Sequence, residues 1–253
     1  MLLTFTNKTE NVDVVVIGGG PAGSTAATML ARKGWHVVLL ESEYFPRKHI
    51  GESLLPASLP ILEELNVSAS MESAGFLKKW GATMVWGKER DPWSWHFRET
   101  NANNPHSYQV DRSQFDDILL KNSLNNGVDV RQGHRVTQPL FKGNRVSGVQ
   151  YITPDMGCRS INARVAVDAS GQSVLLGRNL NLRRWDDFFR NLSVYGYFTE
   201  TESLPSPDES NIFIESYRHG WLWHIPLHTG VSSVGAVMDS KYGQSMISKY
   251  GLP

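Results

Sequence analysis

Apolar and polar positions change rhythm several times along the chain, and each change marks an element. Asp13-Val14-Val15-Val16-Ile17 is a β-branched run without alternation, the pattern of a strand buried on both faces. It leads directly into Gly18-Gly19-Gly20-Pro21-Ala22-Gly23. Residues 24–33 are rich in Ala, Leu and Met and read as a helix, which Gly34 is placed to end. Residues 36–40 form a second apolar strand, closed by Glu41. Together these predict a βαβ unit with a right-handed crossover and a parallel sheet.

A loop carrying Pro46 and Arg47 follows, and residues 56–65 have the spacing of a short amphipathic helix. Residues 80–97 break into short alternating pieces that include Trp93, Trp95 and Phe97, which predicts strands of a second sheet with both tryptophans in its core. Residues 101–105 read as a loop. Helical spacing returns over 111–125, with Phe115, Ile118, Leu119 and Ser123 along one face. Ser113 and Asp116 resemble a capping box there, and Gly127 ends the helix. Residues 128–131 read as a strand. Turn signals at Lys142-Gly143-Asn144 and Pro154-Asp155-Met156-Gly157 separate the runs of a β-meander, and 164–168 read as a further strand. Beyond about Arg183, strands of antiparallel style resume, with many aromatics.

The predicted fold is therefore α/β. A Rossmann-like dinucleotide-binding domain, made of residues 1–80 and 108–182, is interleaved with a β-rich substrate domain made of 81–107 and 183–253.

Composition narrows the function classes. Hydrophobic residues make up 40% of the 253 and charged residues 20%, ordinary values for a globular chain. Lys+Arg and Asp+Glu both number 25, which gives no basic surplus for nucleic acid. The one cysteine, Cys158, allows no intramolecular disulfide and fits a reducing, cytoplasmic setting. The N-terminal residues lack the order of a signal peptide, and no apolar run is long enough to cross a bilayer.

Gly18, Gly20 and Gly23 form G-x-G-x-x-G. The first glycine permits a tight turn, the second lets the backbone approach a pyrophosphate, and the third lets helix and strand pack closely. The helix N-terminus that follows presents free N–H groups to phosphate. Glu41 lies 18 residues past Gly23, where a ribose-hydroxyl acceptor belongs. A glycine-rich turn with no ligand is the bland alternative; the strand–turn–helix context weighs against it.

The later segments favour FAD over NAD. Asp111-Arg112-Ser113-Gln114-Phe115-Asp116 and Asp168-Ala169-Ser170-Gly171 resemble segments of flavin-dependent aromatic monooxygenases. That resemblance implies that Arg112 lies close to the flavin and that the turn at Asp168 lies against the nucleotide. In the bland reading Arg112 is a surface charge and Asp168 starts a turn.

Three further stretches, in register, are similar to the flavin-dependent halogenases and to their phenol-type branch in particular. They are Phe45-Pro46-Arg47 with His49-Ile50-Gly51-Glu52-Ser53-Leu54-Leu55-Pro56, then Gly75-Phe76-Leu77-Lys78-Lys79-Trp80-Gly81-Ala82, and finally Trp221-Leu222-Trp223-His224-Ile225-Pro226. The resemblance implies that reduced FAD, supplied by a separate flavin reductase, uses O2 to oxidise halide to hypohalous acid. The acid then reaches a lysine beside an electron-rich aromatic substrate, phenol- or tyrosyl-like, free or tethered to a carrier protein.

It places that lysine at Lys79, and Arg47, Gly51, Glu52 and Ser53 beside the flavin. It makes Trp221 and Trp223, two apart on one strand face, a wall that keeps activated oxygen from the substrate. The reaction expected is chlorination. An ordinary surface lysine and a pair of core tryptophans are the bland readings of these positions. No metal site is expected.

The family's later Gly-Asp-Ala segment is not found, and the chain ends at Tyr250-Gly251-Leu252-Pro253. The chain is therefore read as the N-terminal part of a longer enzyme that by itself holds FAD weakly. A flavin-dependent aromatic hydroxylase and an inactive FAD-binding module are the competing readings.

Overall fold

The computed structural model describes residues 10–251. Most of the N-terminal stretch in which no signal peptide was read (1–9) and the last two residues lie outside the described part. In chain order the elements begin with β1 (Glu10–Ile17), α1 (Pro21–Arg32), β2 (Val37–Leu40), α2 (Leu59–Glu64), α3 (Ser68–Ser73), β3 (Leu77–Lys79), β4 (Gly81–Val85) and β5 (Trp93–His96). Next come β6 (Ser107–Gln109), α4 (Arg112–Asn125), β7 (Asp129–Arg131), β8 (Arg135–Lys142), β9 (Arg145–Ile152), β10 (Cys158–Asp168) and α5 (Leu175–Asn179). The last are β11 (Asn191–Phe198), β12 (Ile212–Tyr217), β13 (Gly220–Pro226), β14 (Ser232–Asp239) and α6 (Ser240–Tyr250). No helix among the described residues is long and apolar enough to cross a membrane.

The chain divides into two compact units. The first comprises the described residues up to His49, Glu64–Ser70 and Arg112–Arg183; the second comprises Ile50–Glu63, Met71–Asp111 and the described residues from Arg184 onward. Ile50–Glu63 and Met71–Trp80 thus fall in the second unit, whereas the predicted boundaries placed them in the first. The reason is hydrogen bonding: the Leu54 amide donates to the Tyr108 carbonyl, and the Val110 amide to the Glu52 carbonyl.

The first unit is built on a six-stranded sheet of order β7-β2-β1-β10-β9-β8. β1 is central and runs parallel to both β2 and β10, which explains its uninterrupted apolar run. Val15 and Ile17 point into one core with Val38, Leu40, Val149 and Ile161. Val14 and Val16 point into the other, under α1 and α4, with Ala27, Leu39 and Leu120. Small polar groups close the contact between those helices: the Thr28 and Ser123 hydroxyls lie 2.9 Å apart, and Ser123 donates to the Ser24 carbonyl.

The meander is present as β8-β9-β10. The strand predicted at 164–168 is not separate. It is the end of the 11-residue β10, which leaves the antiparallel meander and pairs with β1. On α4 the buried positions are Phe115, Asp116, Leu119, Leu120 and Ser123, while the predicted Ile118 is only half-buried.

The second unit has a six-stranded sheet of order β11-β14-β13-β12-β4-β5 and a small sheet in which β3 pairs with β6. Pairing is antiparallel except between β12 and β4, which are parallel. The antiparallel style expected after Arg183 therefore holds for all but this pair, because β4 comes from a distant stretch of chain. α6 was not predicted. Its signal is Asp239, whose carboxylate caps the Lys241 and Tyr242 amides at 3.0 Å, and a Gly- and Ser-rich sequence hides the helical period. Trp93 is exposed rather than in the core, and Trp95 is half-buried edge-on to Phe97.

Candidate functional site

In the first unit, the C-terminal ends of β1 and β10 and the start of α1 surround a cavity of about 550 Å³. Gly18, Gly20, Glu41, Arg47, Arg112 and the turn after Asp168 bring the candidate dinucleotide residues together around it. Gly18 has φ +101°, and a Cβ there would sit 2.5 Å from the Ala169 carbonyl oxygen. A Cβ on Gly23 would overlap the Gly18 carbonyl oxygen. Both positions therefore exclude a side chain for steric reasons.

α1 starts at Pro21 after Gly20 with no side-chain cap among the described residues, and Gly20, Pro21 and Ala22 line the cavity. Such an uncapped helix start opening into a glycine-lined cavity fits the diphosphate of a dinucleotide such as FAD.

Glu41 is buried, and its carboxylate is fixed by backbone. The Gly19 amide donates to Oε2 at 2.6 Å and the Glu43 amide to Oε1 at 2.8 Å. A carboxylate has about four acceptor sites, so capacity for a ribose hydroxyl remains. Arg47 and Arg112 are joined through Asp116, which is 0% exposed. Arg112 reaches it with Nε at 2.7 Å and Nη2 at 2.9 Å, and Arg47 with Nη1 at 3.2 Å. Asp116 thus positions both arginines, a role absent from the sequence reading. Its i, i+4 spacing from Arg112 was the available signal.

Asp168 uses both oxygens locally, accepting from Ser170 in the turn that follows it and from the Leu176 amide at the start of α5. Its contribution is the shape of the turn.

In the second unit, Gly51 has φ +105° and starts the segment that carries Glu52 and Ser53. Glu52 is buried and accepts from the Gly51 amide and from the Tyr197 hydroxyl, at 2.9 Å each. Burial, and next the Glu52 charge, push the Tyr197 phenol well above its ordinary pKa. Nothing in the local sequence around Tyr197 signals this pairing.

Lys79, at the end of β3, is 1% exposed, while its neighbour Lys78 is exposed. Its Nζ donates to Ser53 Oγ at 2.7 Å and lies 5.1 Å from the Phe97 ring centroid. Among the described residues no carboxylate pairs with it. Burial lowers its pKa to about 8. Ser53 thus turns its hydroxyl toward the lysine.

Trp221 and Trp223 lie on β13, as two-residue spacing on a strand requires. Trp223 is 9% exposed, packs with Ile225 and Leu227, and its indole N–H donates to Ser233 at 3.2 Å. Its ring covers Gly235 on β14, where a Cβ would overlap it. Trp221 is the more exposed of the two, opposite Ser216 and Val237.

The tryptophan halogenase family profile matches residues 13–105 and 97–246. A tryptophan 2-halogenase from Chondromyces crocatus is 38% identical over 235 residues, which cover 92% of this chain and 44% of that protein. A 1H-pyrrole-2-carbonyl-[peptidyl-carrier protein] chlorinase from Pseudomonas fluorescens is 36% identical over 257 residues, which cover 92% of this chain and 57% of that protein. The solved structure of the myxobacterial chondrochloren halogenase, an FAD-dependent enzyme, matches with TM-score 0.89 and 43% identity, over 94% of this chain and 55% of that one. The chain spans about half the length of the curated relatives it matches.

Proposed function

This chain belongs to the tryptophan halogenase family, and from that premise we propose that it forms part of an FAD-dependent halogenase that chlorinates an electron-rich aromatic ring. The observation that carries the proposal is Lys79. It is a buried lysine with no ion pair among the described residues, held by a hydroxyl, with a pKa of about 8. About one in ten such side chains is a free amine at pH 7. The ammonium can donate to hypohalous acid and polarise its O–halogen bond, and the amine can accept the halogen. Both forms are therefore available at working pH.

Gly18, Gly20, Gly23 and Glu41 would hold the FAD nucleotide and diphosphate, with Arg47, Arg112 and the Asp168 turn alongside. Gly51 and Glu52 are assigned to the flavin. FAD, delivered reduced by a separate reductase, supplies with O2 the oxidising power that converts halide to hypohalous acid. Trp221 and Trp223 are assigned to the wall that separates this step from the substrate. The substrate is phenol- or tyrosyl-like. The pyrrolyl-carrier-protein chlorinase among the relatives favours a tethered one.

The test is mass spectrometry of reactions containing FAD, a flavin reductase, NADH, O2, chloride or bromide, and a panel of phenols and carrier-bound tyrosine. The expected product carries a halogen isotope pattern that disappears in Lys79→Ala, while reduced-flavin oxidation continues. A product heavier by one oxygen and indifferent to halide would instead make the protein a hydroxylase.

A further inference from the structure

β3 and β6 pair antiparallel, with Lys79 opposite Ser107 and Leu77 opposite Gln109. Ser53 bridges to Gln109 from the other side of β6. Strand alternation puts Lys79, Ser107, Gln109 and Ser53 on one face, and Lys78, Tyr108 and Glu52 on the other. The Lys79 side chain therefore crosses β6 to reach the Ser53 hydroxyl at 2.7 Å. Beneath it Ser107 Oγ and Gln109 Oε1 are buried without hydrogen-bond partners among the described residues.

We propose that Ser53 is a positioning residue for Lys79, holding Nζ in one direction in both of its protonation states. A hydroxyl can do this because it accepts from an ammonium and donates to an amine. The inference rests on reading Lys79 as the halogen-activating lysine.

Among the described residues no charged group competes for the role. Lys78 points to the opposite face, and the Glu52 carboxylate is taken by the Gly51 amide and Tyr197. On the turn that carries Phe97, Arg98 is exposed and Glu99 pairs with His96. His106 and Tyr108 meet edge to face, away from the lysine face.

The test is NMR titration of protein labelled with 13C at lysine Cε, with the Lys79 resonance assigned by its loss in Lys79→Met. In the parent protein the Lys79 midpoint is expected near 8. In Ser53→Ala it falls by about 0.7, and Ser53→Thr, which keeps the hydroxyl, restores it. Ser53→Val, which nearly keeps the volume of threonine but has no hydroxyl, moves it downward like alanine and serves if the alanine variant does not fold.

Halogenation kcat falls roughly ten-fold in Ser53→Ala, and Ser53→Thr recovers kcat. A Lys79 midpoint that stays put in both Ser53→Ala and Ser53→Val overturns the assignment. If the midpoint shifts as stated but no variant or parent protein halogenates, the positioning role stands and the halogenase reading fails.

Discussion

Replacing Lys79 with methionine removes an ionisable group from a site that water barely reaches, and the consequence is readable in stability as well as activity. Folding lowers the Lys79 pKa from 10.5 to about 8, so the unfolded chain binds the extra proton more tightly. Below pH 8 the folded protein carries the full penalty of keeping the ammonium buried. That penalty is relieved as pH rises from 8 towards 10.5, where the unfolded chain also releases its proton.

The drop of about 2.5 in pKa corresponds to about 3 kcal/mol, of which about 2.5 kcal/mol is recovered between pH 7 and pH 10. Methionine has no such dependence and nearly fills the same volume. Urea denaturation followed by tryptophan fluorescence, for parent and Lys79→Met side by side at pH 7, 8, 9 and 10, cancels the other titrating groups. The parent should gain on the variant by about 2.5 kcal/mol across that range, with the steepest change above pH 8. Parallel pH curves for the two proteins would refute the reasoning, because they would mean that Lys79 titrates normally and is not buried as described.

Three other substitutions test the rest of the site. Asp116→Asn removes the carboxylate shared by Arg47 and Arg112; it should cost about 3 kcal/mol in urea denaturation and weaken FAD binding measured by calorimetry. Gly23→Ala forces a Cβ against the Gly18 carbonyl, so α1 must move off β1, with an expected loss of about 1–3 kcal/mol and roughly ten-fold or more in FAD affinity. Unchanged affinity would separate the glycine motif from the cofactor. Lys78→Ala changes an exposed side chain, so stability should stay within about 0.5 kcal/mol and halogenation at the parent rate. A loss matching that of Lys79→Ala would move the reacting lysine to position 78.

The local pattern of the chain determined those features that depend on near neighbours. The βαβ unit with Gly18, Gly20 and Gly23 was legible because a buried strand, a tight turn and a helix start each impose residue types on consecutive positions. The halogenase family was legible for the same reason: its motifs are continuous stretches whose order can be read directly.

What was not legible depends on groups far apart in sequence. Asp116 looked like half of a capping box, yet it joins Arg47 and Arg112 because α4 packs where the loop after β2 returns. The parallel pairing of β12 with β4 and the continuity of β10 from meander to β1 are choices of partner, and a strand's own pattern records burial but not which strand lies beside it.

The lysine shows the division most clearly. Sequence placed two adjacent lysines in a motif, and strand alternation alone required them to face opposite ways. The resemblance singled out Lys79 of the two, but only the register of β3 with β6, and of Ser53 with Gln109, decided that it turns inward onto a hydroxyl. The physical reason is that burial, and the pKa that follows from it, belongs to the whole environment of a group and not to its place in the chain.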